Sequence, residues 1–179
     1  MNKLNKIAQG IALVASITAA GSALAASDGS LGDDSTGTTD ISLTIVDKVQ
    51  ISNMKDIAIG TYGGTGDLTP STSFCVYRNG GDDYKLTLSA DTGAFQLDSA
   101  TALSSIPFTV KVDDDLDASD GEATTYNTET SVALSGAATT NCGGSDNASM
   151  QLTFAEANLQ AAPTANDYQA TMTVFVEPI

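Results

Sequence analysis

The sequence has no histidine and no tryptophan, and only two cysteines and seven basic residues among its 179. Without histidine the commonest general base and the commonest transition-metal ligand are both missing. Serines and aspartates are plentiful, but no Gly-x-Ser-x-Gly elbow is present and no base stands ready for a triad. The glycines at Gly60, Gly63, Gly64 and Gly66 precede no helical pattern, so they read as a turn and not as a phosphate cradle. Against the seven basic residues stand 22 acidic ones, a net charge of −15. Such a surface repels phosphate backbones, which argues against nucleic acid as a partner. These absences point away from an enzyme, and no catalytic, cofactor-binding or metal-ligating residue is expected.

A long hydrophobic run is also missing beyond residue 25; nothing there approaches the roughly 18 apolar residues of a spanning helix. What precedes it has the three parts of a secretory signal. Lys3 and Lys6 form a short positive region, residues 7–20 are apolar and small, and Ala23-Leu24-Ala25 offers small residues at the cleavage positions. Cleavage after Ala25 would remove two basic residues and no acidic one, leaving an exported chain still more acidic than the precursor. In an exported chain the even pair Cys75 and Cys142 suggests a disulfide. It would close a long loop, worth roughly 4 kcal/mol in the chain-entropy model. The alternative is two separate thiols.

Residues 26–40 are Ser, Gly, Thr and Asp with one leucine, which predicts a flexible mature N-terminus. The texture then changes. Ile41, Leu43, Ile45, Val49 and Ile51 share one parity, interrupted by Asp47, while Ser42, Thr44, Lys48 and Gln50 share the other with Val46 the exception, a period of two that predicts a half-buried strand. Further short strands are predicted at Ile57-Ala58-Ile59-Gly60-Thr61-Tyr62, at Ser73-Phe74-Cys75-Val76-Tyr77 and over residues 84–90. Asn79-Gly80-Gly81-Asp82, between the last two, reads as a hairpin connection. Additional strands are expected at 94–97, 106–112, 132–134, 150–154 and 168–176. Pro107 places the 106–112 strand near an edge or entrance. Residues 113–125 form an acidic loop. It is not an EF-hand, since Ala118 and Thr124 stand where that loop needs Gly and Glu. From Asp40 onward no segment shows a helical period over three turns. Many short alternating strands with Gly, Asn and Asp punctuation predict one all-β domain, an Ig-like β-sandwich over residues 41–179.

The order of these pieces resembles the subunits of chaperone–usher pili, especially the archaic class that includes spore-coat-U-like proteins. The resemblance rests on a signal, a polar N-terminus, the strand Ile41-Ser42-Leu43-Thr44-Ile45, the Ile57–Tyr62 segment, the cysteine-bearing Phe74-Cys75-Val76, and the tail Asn166-Asp167-Tyr168-Gln169-Ala170-Thr171-Met172-Thr173-Val174-Phe175-Val176. The tail looks like that family's closing strand, although Asn166 stands where the family often has Gly. Residues 45–53 also lack the early cysteine common in archaic subunits. The resemblance implies a sandwich missing one strand. A periplasmic chaperone would fill the gap first, and the N-terminal strand of the next subunit would replace it at an outer-membrane usher. Ile41, Leu43, Ile45, Val49 and Ile51 would then be donor residues, with other copies of the chain as partners in a cell-surface fimbrium that serves adhesion. Two alternatives stand beside this: that residues 41–51 are the domain's own first strand, and that the protein is a complete, secreted sandwich that binds glycan or calcium.

Overall fold

The computed structural model describes residues 26–179; the signal-peptide reading falls on residues 1–25, outside them. The chain divides into two units, Met1–Ile45 and Val46–Ile179. In the described part of the first, Ser27 and Thr38 exchange both backbone hydrogen bonds, at 3.0 and 2.9 Å. Residues 39–45 carry no secondary structure.

The second unit is all-β with very little helix. Its strands are β1 (Val49–Ser52), β2 (Ser71–Arg78), β3 (Asp83–Ala90), β4 (Gln96–Ser99), β5 (Ser104–Pro107), β6 (Thr109–Asp113), β7 (Glu122–Ala123), β8 (Leu134–Ser135), β9 (Ala148–Thr153) and β10 (Met172–Pro178). A six-residue helix, α1 (Glu156–Ala161), and a 3-10 turn at Cys142–Gly144 complete it. A five-stranded sheet has the order β1-β2-β9-β6-β7 and a three-stranded sheet the order β10-β3-β8, while β4 and β5 pair with each other. Every strand pair in these sheets is antiparallel.

Alternation decides which side chains are buried. Tyr84, Leu86 and Leu88 of β3 are fully buried and meet Phe74 and Val76 of β2, Val110 and Val112 of β6, and Met150 and Leu152 of β9 in one core. Aliphatic and aromatic side chains at every second position give each strand one dry face, and covering those faces drives the sheets together. Phe108 stacks near Phe95 and Phe154, with ring centroids 5.9 and 5.0 Å apart. Cys75 and Cys142 form a disulfide that ties the 141–147 loop to β2.

Three local expectations are corrected. Asn79-Gly80-Gly81-Asp82 does not join two paired strands: β2 pairs with β1 and β9, whereas β3 pairs with β10 and β8, so the turn carries the chain from one sheet to the other. The single strand expected at 106–112 is two. Pro107 ends β5, the Phe108 N–H still donates to the Phe95 carbonyl at 2.9 Å, and from Thr109 the partner becomes β9. The strand expected at 57–62 joins no ladder among the described residues.

Candidate functional site

The outer edges of β1 and β10 are unpaired among the described residues, since each strand closes one end of its sheet. β10 gives its whole length to β3, from Met172 opposite Ala90 to Pro178 opposite Tyr84, and no second strand hydrogen-bonds to it among the described residues. Thr173 and Phe175 point out, while Met172, Val174 and Val176 are half-buried and turn toward the core.

Between these edges lies an apolar groove. One cavity of about 610 Å³ is lined by Ile51, Ile57, Leu97, Met150, Met172 and Val174, among others. A second, of about 750 Å³, adjoins it through the shared residues Ile57, Ile59, Leu97 and Ala170 and runs on to Tyr62, Leu159 and Tyr168. Each has the volume of a small-molecule site, which spans about 300–1,000 Å³. Here the wall is largely aliphatic and aromatic, with Lys55, Asp56, Thr171, Thr173 and Gln169 among its polar members, and the outer backbone edge of β10 is unpaired among the described residues. That combination suits a strand, whose backbone bonds to the edge while alternate side chains fill the depressions.

Residues 57–62 form one rim. Ile57, Ile59 and Tyr62 are half-buried and Ala58, Gly60 and Thr61 exposed; the alternation holds over 57–60, and the segment pairs with no strand among the described residues. The rim is aimed by a small polar network. Asn53, in the left-handed region at φ 61°, ends β1. Its Nδ2 donates to Asp146 at 3.0 Å, and Lys55 Nζ donates to the same carboxylate at 3.0 Å. Ser73 Oγ donates to it at 2.6 Å. These bonds, Ser73 first and Lys55 next, hold the Asp146 carboxyl below its usual range. Asn147 fixes the same loop by donating to the Val76 carbonyl at 3.1 Å and accepting from the Val76 N–H at 2.8 Å. The disulfide fixes it again two residues into the turn. A path of bonds therefore runs from Cys75 through Cys142 and Asp146 to Lys55, two residues before the rim.

The five predicted donor residues fall into two groups. Ile41, Leu43 and Ile45 are 92%, 83% and 76% exposed. Val49 and Ile51 lie in β1, half-buried and paired in register with Arg78 and Val76. The groove-lining roles of Leu97, Phe108 and Met150, and the rim-setting role of Asp146, carried no signal in the sequence: the first three look like any core residue and Asp146 like any loop aspartate. The acidic loop uses two of its carboxylates on the backbone of the segment that follows it, residues 131–135. Asp114 accepts from the Ser135 N–H at 2.9 Å, and Glu122 from the N–H groups of Ser131 and Val132 at 2.6 and 3.1 Å.

No protein-family model matches the chain, and no curated protein matches it.

Proposed function

We propose that the chain is a structural subunit of a chaperone–usher surface pilus, an Ig-like domain short of one strand that polymerises by donating residues 41–45 of one copy into the groove of the next. The observation that carries this reading is the pairing of an apolar groove beside the free edge of β10 with three exposed aliphatics at alternate positions in the same chain. Isolated exposed apolar side chains are ordinary, but three at alternate positions ahead of a domain with a largely apolar groove beside an unpaired strand edge suit one another. Burying each aliphatic is worth roughly 1.5–3 kcal/mol, and the backbone bonds to β10 add to that. Because donor and acceptor are different surfaces, the contact is head-to-tail and extends into a filament. The role is structural and not catalytic. A periplasmic chaperone would cover the groove before assembly, an outer-membrane usher would order the exchange, and the product would be a fimbrium on the cell surface.

Leu43→Asp tests the reading in the full chain. It places a charge on an exposed residue, so the β domain keeps its far-ultraviolet circular dichroism. Wild type is expected to give ladders resistant to mild SDS and fibres in the electron microscope, and Leu43→Asp neither. A synthetic peptide of residues 38–48 should raise the Tm of the Leu43→Asp chain by filling its groove. Equal assembly of the two chains, or no response to the peptide, overturns the proposal.

A further inference from the structure

The point where the chain enters the β domain is held more tightly than a strand end needs. Val49 pairs with Arg78, and the next residue pair outward continues the ladder: the Asn79 N–H donates to the Lys48 carbonyl at 3.1 Å. The Asn79 side chain then reaches further. Its Oδ1 accepts from the Lys48 N–H at 2.7 Å and its Nδ2 donates to the Val46 carbonyl at 3.0 Å. Between them, Asp47 lies 3.4 Å from the guanidinium of Arg78, a residue only 5% exposed that also donates to the Asp83 carbonyl. Three consecutive residues ahead of β1 are thus tied to the end of β2 by two consecutive residues, Arg78 and Asn79.

What this prevents can be read from the parity of the apolar residues. A turn through Val46, Asp47 and Lys48 would lay residues 41–45 antiparallel to β1 in the same copy. Ile45 would face Val49 and Leu43 would face Ile51, with every aliphatic on one face. Such a fold-back is intramolecular, and a short tether gives it an effective concentration in the millimolar range, which a second copy has to outcompete. A three-residue hairpin loop needs the left-handed conformation at its last position, and Lys48 is poorly suited to it. The groups that would rearrange to form the loop, the Val46 carbonyl and the Lys48 N–H, are the ones Asn79 holds.

We propose that Asn79, backed by Arg78, is a positioning residue that keeps the root of the donor segment straight, blocking the same-copy hairpin so that residues 41–45 go to a second copy. This rests on the reading above that the segment is donated, and it adds what makes donation intermolecular.

The test uses the full chain with Asn79→Ala, with Lys48→Gly, and with both. Removing the two side-chain bonds is expected to shift the balance about tenfold toward monomer. Adding glycine at the left-handed position should complete the change. The double variant should run as a monomer, melt higher than Leu43→Asp, and show no rise in Tm with the 38–48 peptide, because its own arm occupies the groove. Introducing Leu43→Asp into the double variant should restore the response to peptide. Asn79→Asp, which keeps Oδ1 for Lys48 and loses only the bond to Val46, gives the same direction more weakly and serves if the alanine unfolds the domain. A double variant that assembles as wild type does overturns the role of Asn79 and leaves strand donation standing. A wild-type chain that does not assemble, with a Leu43→Asp chain deaf to the peptide, overturns both.

Discussion

Asp146 gathers three donors from residues far away in the chain: Ser73 Oγ, Lys55 Nζ and Asn53 Nδ2. All three favour the charged form, so its folded pKa lies below the unfolded value. The stability it contributes is therefore complete above the ordinary carboxylate range and is lost as pH falls through the depressed folded value. Asp167, held down first by the Ser99 hydroxyl and then by the Thr101 N–H, acts in the same direction. Asp146→Ala should cost about 1–2 kcal/mol in urea unfolding at pH 7. The gap to wild type should close in acid; a gap that stays constant to low pH would mean the carboxylate is not what the donors hold. The disulfide belongs to this scale too. Cys75 and Cys142 are 67 apart in sequence, a loop whose closure is worth about 4 kcal/mol in the chain-entropy model. Replacing both by serine, followed by urea denaturation, should lower stability by that order. It should also weaken binding of the 38–48 peptide, because the loop that holds Lys55 and Asn53 is then tied to β2 by the Asn147 and Ser73–Asp146 bonds without a covalent link.

At the scale of elements, alternation was the dependable signal, and its limit is physical. The runs containing Tyr84, Leu86 and Leu88, or Met150, Leu152 and Phe154, declared a buried face and have one. Alternation says which face seeks cover, not what covers it. Residues 41–45 and 57–62 carry the same pattern as the core strands, yet neither joins a ladder among the described residues. The Asn79–Asp82 turn misled for a related reason. Its residues specify a reversal, but whether the next strand returns to the same sheet depends on distant partners, β9 for β2 and β10 for β3. That crossing is stitched at Gly136. A Cβ there would stand 2.7 Å from the Asp82 carbonyl oxygen and 3.1 Å from Arg78 Cβ, so backbone has to move. Gly136→Ala should destabilise by about 1–3 kcal/mol in thermal or urea unfolding, as overpacking does. A neutral substitution would show that the turn between the sheets is soft.

Over the whole molecule, charge and apolar surface act on different steps. The chain carries 22 acidic against seven basic residues, and Asp28, Asp33, Asp34 and Asp40 precede the donor segment. Two copies approaching head-to-tail bring like charge to like charge. Added salt shortens the reach of that repulsion to about 10 Å at 0.1 M and about 3 Å at 1 M. The contact proposed for residues 41–45 is instead made by aliphatic burial and backbone bonds, which salt of this strength weakens little. Assembly followed by light scattering should therefore speed up with sodium chloride, while the lifetime of ladders already formed should stay nearly constant. If assembly slowed instead, opposite charges would be steering the arm, with Lys55 at the groove the nearest candidate. Lys55→Gln would then remove the salt dependence, whereas in a mutually repelling pair it leaves the acceleration in place.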